Sequence, residues 1–441
     1  MEWCEVKRSI RWILLNAALF VLAGCQPSAQ ESAVATVQEL WPSTVGEYLQ
    51  EPLWEPGRSY DAAHLLMLPM HCAFDVCPGQ FKQRRDEFRE FFTRFEPRFS
   101  VPLDSNPLRE AQFLYLVTQY LVLSSRYTGW QEHHNALYEK SLKAVHHFWN
   151  ERPAPHWAYS SDFPNAEKRL RWKLAPTRTQ QAYFAAIIDE EYYLMALASD
   201  LLFVAKQRSY AEDPVLVEIQ QLTREVFEQQ GRFDSEGQWL MQPGVWRDHK
   251  DYRYAGHSAL EPRLAPEVRE GIGMDVSHSH RFPLWLESFR RASNEQGAEF
   301  YSRLMEGFRN QFEAFVLKQP GSAFRWPALA NYMDGHNGIY RYGYETLGDE
   351  LGYGPYELSY ALFSGWYAFS GSERLYNAFL WLKNEFPLEA ELVRFYLGPD
   401  TQRERYPLVE GQAFYKDGFA ELLINVSVLV AQDRSRDKVT Q

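Results

Sequence analysis

The chain is poor in several things, and each shortage removes a class of function. Four cysteines occur in 441 residues. Two of them, Cys72 and Cys77 in "HCAFDVCP", have no second pair of metal-ligand type nearby, so a paired-cysteine zinc site has little to stand on. After the first two dozen residues no uninterrupted apolar run is long enough to cross a bilayer. Positive charge is in deficit: 46 Lys and Arg stand against 58 Asp and Glu, a formal net charge of −12. That balance argues against general nucleic-acid binding, which needs a basic surface. The nucleophile elbow G-x-S-x-G is missing, because Ser364-Gly365 lacks the first glycine. "GIGMD" has no lysine and no downstream fingerprint, so no phosphate-cradling loop is present. Strand signals are sparse and short, and no self-similar repeat of fixed period stands out.

What the chain has is aromatic mass and helical periodicity. It contains 14 Trp, 26 Tyr and 29 Phe, ample for a large core. "FKQRRDEFREFFTRF" places its phenylalanines at helical spacing, and "REAQFLYLVTQYLVLSSRY" predicts a strongly apolar helix over 109–126. Further helices are expected over "HNALYEKSLKAVHHFWN", 179–206, 214–230, 281–292, 295–317, 356–369, 372–385, 389–396 and 413–431. Asp213 has the place of an N-cap, with Pro214 in the first turn and Gly231 as the stop. In "IIDEEYY", Asp189, Glu190 and Glu191 fall within a predicted helix in apolar surroundings. One of these carboxylates must face inward, and it then needs a partner.

Long aromatic-polar connections lie between the helices, at 153–178, 235–278 and 319–355. Loops of that length in a compact domain carry binding faces more often than not. About a dozen helices joined in this way predict an all-α fold: an α/α toroid, complete or incomplete, of about six helical hairpins with its long loops on one face. A helical-repeat solenoid is the alternative. No boundary divides residues 56–432, and 433–441 reads as a polar tail.

The first 24 residues speak to location. Lys7, Arg8 and Arg11 precede an apolar run of about a dozen residues, too short to span a bilayer. It ends in Leu22-Ala23-Gly24-Cys25, which resembles the lipobox of bacterial lipoproteins. The resemblance implies removal of 1–24, acylation of Cys25 and membrane attachment through that lipid. With Gln26 after the cysteine it implies the periplasmic face of the outer membrane. Residues 25–55 are small and polar enough at first to suggest a flexible tether. In that oxidising compartment Cys72 and Cys77 are expected to form a local disulfide.

Three stretches hold the candidate chemistry. "DVSHSHRF" brings Asp275, His278, His280 and Arg281 together where a helix begins, with Ser277 or Ser279 as its possible cap. "NYMDGHNGIYRYGYE" contains Asn331, Asp334, His336, Asn337, Tyr340, Arg341 and Tyr342, a mixture that suits a sugar: aromatic faces stack on rings while amides, carboxylates and arginine bind hydroxyls. "YGPYELSYALFSGWY" offers Glu357 and Tyr360 on one helix face. Trp246 and His257 are supporting candidates from the 243–261 stretch.

The helices with His-, Tyr-, Asn- and Arg-bearing joins over residues 56–432 resemble the α/α-toroid polysaccharide lyases and the C-terminal domains of glucuronyl C5-epimerases. This resemblance is one of architecture and residue mix, without a diagnostic motif. It implies an enzyme acting on a uronate-containing oligo- or polysaccharide. A lyase removes the proton α to a carboxylate, which must be neutralised while other groups move protons. His278, Arg281, Asn331 or Asn337 are candidates for neutralisation, and Tyr340, Tyr342 or His280 for proton transfer, with Glu357 also counted as catalytic. Asp275, Asp334, His336, Asn337, Arg341, Tyr342, Trp246 and His257 are the expected substrate contacts. A glycoside hydrolase would instead need two opposed carboxylates from Asp275, Asp334 and Glu357, with Asp189 behind them. A glycan-binding or scaffold lipoprotein without catalysis is the third reading. No cofactor is assigned, and a divalent metal is left open.

Overall fold

The computed structural model describes residues 28–77, 81–127, 129–156, 161–176, 179–399 and 405–436. Fifteen α-helices account for half of these: α1 (Ala29–Leu40), α2 (Ser59–His71), α3 (Lys82–Phe95), α4 (Pro107–Tyr127), α5 (Glu132–His146), α6 (Ala166–Leu174), α7 (Asp189–Arg208), α8 (Pro214–Gln230), the single turn α9 (Val276–Ser279), α10 (Phe282–Ala292), α11 (Glu295–Gln311), α12 (Glu373–Asn384), α13 (Ala390–Leu397), α14 (Gly411–Lys416) and α15 (Phe419–Arg436). Only two short hairpins are β: β1 (Gly231–Phe233) pairs antiparallel with β2 (Trp239–Met241), and β3 (Leu317–Lys318) with β4 (Ala328–Leu329).

The fold is all-α and its helices close on themselves. An inner ring runs α2, α4, α7, α10, then the 3-10 turns Glu357–Ser364 and Trp366–Ser370, then α15, which packs back on α2. An outer helix accompanies each inner position: α3, α5, α8, α11, α12 and, beside α15, α1. Composition explains the sorting. Helix α7 is buried on every side, from Glu191 through Ala205 with few breaks, as an inner helix must be. Helix α8 buries one stripe, Leu216, Ile219, Leu222, Thr223, Val226 and Phe227, and turns the rest outward. Its ends follow the sequence: the Asp213 carboxylate accepts from the Val215 and Leu216 N–H groups, and Gly231 ends the helix.

Several expectations are corrected. Residues 25–55 are not a flexible tether over their described part. Ser28 and Glu31 form a capping box, α1 follows at once, and Val37, Trp41, Val45, Tyr48, Leu49 and Leu53 are fully buried. Their apolar side chains add a second outer helix against α15, beside α12. At the other end α15 continues to Arg436, so 433–436 belongs to a helix. The helix expected from 179 starts only at Asp189, which puts the three carboxylates of "IIDEEYY" in a first turn, favoured by the helix dipole. The helix expected over 356–369 is two 3-10 turns parted by Gly365 at φ 73°. A Cβ there would lie 2.7 Å from Ser427 Oγ and collide with Leu68, so the glycine lets this strand of the ring pass between α2 and α15. The helix expected over 413–431 breaks at Gly418 into α14 and α15.

Cys72 and Cys77 are free thiols with their sulfurs 3.0 Å apart, where a disulfide was expected. The chain winds as a π-turn over Cys72–Val76, and its i→i+5 hydrogen bond from Cys77 N–H to the Cys72 carbonyl sets the two side chains on one face. The hydrogen bond with the Cys77 thiol, and then burial, push Cys72 well above the usual thiol range. Cys25 lies outside the described residues.

The inner helices run in one direction. Tyr60 and His64 near the start of α2, Gln112 near the start of α4, Asp189 at the start of α7 and Arg281 just before α10 meet at one mouth of the ring. The 235–278 and 319–355 loops are zipped together near the start of α10, with Val276 N–H bonding the Asn331 carbonyl at 3.0 Å and Met333 N–H the Met274 carbonyl at 2.8 Å.

Candidate functional site

Asp275, not Ser277 or Ser279, caps the turn that "DVSHSHRF" begins. Its Oδ1 accepts from the Ser277 and His278 backbone N–H groups at 3.1 and 3.2 Å. The remaining lone pairs take Tyr252 OH at 2.7 Å and His278 Nδ1 at 2.8 Å. Asp275 is 0% exposed. Burial alone would push its carboxyl up, but the facing His278, the Ser277 hydroxyl and the Arg341 charge outweigh it and hold it well below the ordinary carboxylate range. The three-residue spacing places His278 over its own cap, so the backbone that starts α9 also orients the imidazole.

His278 keeps 24% of its side chain exposed, and its Nε2 lies 3.8 Å from Asp189 Oδ2. Asp189 also pairs with the Arg281 guanidinium, which is only 2% exposed. Burial works against that cation, yet Asp189 raises its pKa above the ordinary arginine value. Arg281 donates to His64 Nε2 at 3.1 Å and to Tyr60 OH at 3.2 Å, and it lies 5.8 Å from the Tyr193 ring. Because Arg281 has only protons to offer, His64 Nε2 must be an acceptor. His64 Nδ1 lies 3.1 Å from the Tyr60 carbonyl and also against the Gln112 side-chain amide. The arrangement is an imidazole backed by a buried carboxylate, facing a second carboxylate that an arginine anchors.

The structure thus joins three predicted residues, Asp275, His278 and Arg281, with Asp189. Sequence reasoning missed Tyr60, His64 and Tyr252. The only signal for the first two was a Tyr and a His four residues apart on an otherwise apolar helix, a pattern common in ordinary cores. The carboxylate expected to turn inward from "IIDEEYY" is Glu191, and its partners are Arg169 Nε at 2.9 Å and Lys173 Nζ at 2.7 Å. Burial lowers Lys173 to about 8 in spite of Glu191.

The other predicted residues have contacts of their own. His280 is buried against the Trp366 ring, and burial together with Arg281 holds it well below the ordinary histidine value, so it is a packed neutral ring. Tyr340 is buried too, and desolvation pushes its phenol well above the usual range. Asn331 donates to the Gly338 and Gly354 carbonyls at 2.9 and 2.8 Å and accepts from Leu358 N–H at 3.2 Å. Asn337 accepts from the Asn331 and Tyr356 N–H groups, and Glu357 from Gly354 N–H at 2.6 Å. These three therefore hold the 331–358 segment together from within. Tyr342 OH bonds the backbone of Leu264 and Glu261, and His257 faces the Ala265 carbonyl at 2.7 Å, so both pin the 257–265 loop. Trp246 stacks on Tyr252 behind Asp275. Asp334 and His336 pair with each other at 2.6 Å, with His336 47% exposed. Arg341 donates through Nε to Asp251 at 3.0 Å and lies over the Tyr340 and Tyr344 rings.

Among the described residues no group of three or more His, Cys, Asp or Glu has metal-holding geometry, and no helix is long and apolar enough to cross a membrane. A hollow of about 450 Å³ lined by Lys173, Leu174, Ala175, Pro176, Ala185, Gln229 and Gln230 shares no lining residue with the Asp275–His278 group. No family model matches the chain, no curated protein is significantly similar to it, and no solved structure matches it.

Proposed function

We propose that this protein is a lipid-anchored, carbohydrate-active enzyme that moves a proton on a uronate-containing glycan through His278. The all-α fold is broadly compatible with a carbohydrate-active family. The observation that carries the reading is the Asp275–His278 pair: one imidazole nitrogen is tied to a buried carboxylate and the other is turned toward Asp189 on a partly exposed face. An imidazole oriented in this way suits general acid–base work. In β-elimination His278 Nε2 takes the proton α to the uronate carboxylate, the C4–O bond breaks, and the imidazolium returns the proton to the departing oxygen. An unsaturated sugar and a free hydroxyl result. In epimerisation His278 keeps the proton it removed, and the same carbon takes a proton from solvent on its other face. We place the base at His278 and not at Tyr340, Tyr342 or His280, because Tyr340 and His280 are buried and Tyr342 OH is engaged with the Leu264 and Glu261 backbone, while His278 reaches the surface.

A carboxylate-pair hydrolase has less support. Asp275 is sequestered behind His278, Asp334 is occupied by His336, and Glu357 accepts a backbone N–H. The test is a panel of uronate polysaccharides followed by the ultraviolet absorbance of a C4–C5 double bond, by reducing ends and by solvent-isotope exchange at C5. Absorbance or exchange that disappears in a folded His278→Ala protein is the expected result. Reducing ends without either signal would replace the reading with hydrolysis, and no signal from any glycan would leave the non-catalytic lipoprotein.

A further inference from the structure

The 331–345 loop holds one cation that the His278 chemistry does not use. Arg341 has φ 56°, a left-handed backbone that residues other than glycine rarely adopt. Asp251 pins it there twice: the Arg341 N–H donates to the Asp251 carbonyl at 2.9 Å, and Arg341 Nε donates to Asp251 Oδ2 at 3.0 Å. The guanidinium carbon lies 5.0 Å from the Tyr340 ring centre and 4.4 Å from that of Tyr344. Asp251 therefore occupies the Nε side of the guanidinium. Among the described residues nothing hydrogen-bonds Nη1 or Nη2, and neither is sealed from solvent, the side chain being 24% exposed. A guanidinium fixed by its stem and open along the Nη1–Nη2 edge presents two parallel N–H donors. That is the geometry a planar carboxylate accepts.

Consecutive residues tie this edge to the His278 site. Asp251 holds Arg341, while Tyr252 OH donates at 2.7 Å to Asp275, the carboxylate that orients His278. The Tyr252 and Tyr340 rings lie 5.4 Å apart. The Arg341 charge acts on Asp275 and on His249, and His249 also feels His278. The locus is no basic patch. Asp251 and Asp275 are buried beside Arg341, and of the exposed charges next to Tyr344, Lys250 is offset by Glu345. Selection must therefore come from the shape of the fork. We infer that the Nη1–Nη2 edge of Arg341 binds the substrate carboxylate adjacent to the carbon that His278 deprotonates. The inference rests on His278 as the base for the place of that carbon, and it limits the substrate to sugars with a carboxylate on the reacting carbon. Loss of the α-proton drives charge onto that carboxylate, so a fork held ready binds the transition state more tightly than the ground state. The residues expected to neutralise it are engaged elsewhere: Arg281 pairs with Asp189, and Asn331 and Asn337 bond the backbone of their own loop.

Binding and turnover are measured separately on the full chain. Oligomers of glucuronate, galacturonate and mannuronate are titrated by calorimetry beside their carboxyl-reduced, neutral counterparts. At least one acidic oligomer should bind about tenfold or more tightly than its neutral form. Arg341→Gln should abolish that preference, and Arg341→Lys, which keeps the charge without the fork, should retain part of it. On a substrate that is turned over, Arg341→Gln should lower kcat by about 10²-fold, beyond any rise in KM. Because Arg341→Gln leaves the Asp251 carboxylate without its guanidinium, the double variant Arg341→Gln, Asp251→Asn removes both charges together and serves where the single variant does not fold. Equal affinity for acidic and neutral oligomers, or a preference that survives loss of the guanidinium, overturns the subsite. An Arg341-dependent preference without any His278-dependent absorbance or exchange keeps the subsite and ends the enzymatic reading. Turnover that His278→Ala abolishes and Arg341→Gln leaves unchanged does the reverse.

Discussion

Two buried aspartates in the same ring behave in opposite ways. Asp275, at the His278 mouth, is held far below the ordinary carboxylate range, whereas Asp200, deeper between α4, α7 and α10, is pushed up to about 6. Both are desolvated, so burial does not separate them. The difference is in their partners. Asp275 takes two backbone N–H groups, two hydroxyls and an imidazole. Asp200 takes neutral donors from Thr118 at 2.9 Å and Gln119 at 2.6 Å, and its nearest cation, Arg291, stays 3.9 Å away. A buried carboxylate stays ionised where the fold surrounds it with donors, as at Asp275. A carboxylate that serves only to knit helices together is left with fewer.

The largest expected break in this contrast is Asp275→Asn. It removes the charge that orients His278 and leaves Tyr252 and the helix start with a poorer acceptor. Any His278-dependent glycan activity should fall by about 10²-fold or more, and urea denaturation should register a loss of roughly 3 kcal/mol. Asp200→Asn, by contrast, should leave stability at pH 7 unchanged or raise it by about 1 kcal/mol, because it removes a desolvated charge of weak pairing. A loss as large as that of Asp275→Asn would erase the distinction.

The pH dependence sharpens the comparison. Asp200 has a folded pKa raised above its unfolded value, so its contribution is complete below about pH 4 and is lost as pH rises through about 6. Asp275 has a depressed folded pKa, so its contribution is complete above the unfolded value and is lost as pH falls below it. Denaturation curves from pH 3 to 7 should show Asp200→Asn gaining on the wild type as pH rises from 4 to 6, and Asp275→Asn approaching the wild type as pH falls below 4. A smaller cost attaches to the backbone of the ring. Gly365→Ala introduces a side chain at φ 73° against Ser427 and should cost about 2 kcal/mol. The smallest change belongs to a pair that sequence reasoning rated as a substrate contact. His336→Ala breaks an exposed contact to Asp334 and should stay within about 0.5 kcal/mol, with glycan activity unaltered.

The site was legible where one short segment contains both a group and its partner. Asp275 and His278 are three residues apart, so their contact follows from the turn that Asp275 caps. In the 331–345 stretch, and at Glu357 beyond it, several polar groups that read as a ligand surface also have partners inside the protein. Asn331, Asn337 and Glu357 bond backbone groups of a long irregular loop, which has few helical or sheet partners of its own and must satisfy its N–H and C=O groups through side chains. Tyr60 and His64 were invisible for the converse reason: their partner Arg281 is 217 positions away from His64.

The sequence by itself determined what is local. Helical periodicity, the Asp213–Pro214 start and Gly231 stop of α8, and the apolar girth of α7 follow from side-chain chemistry within a few turns, and they suffice for an all-α chain. Only the tertiary structure decided which helices line the ring, that α1 completes it instead of hanging as a tether, and that Arg281 meets Asp189, His64 and Tyr60. These pairings depend on closure of the ring, which brings helix starts that are far apart in the chain to one mouth, where a buried charge is stable only beside the partner it finds there.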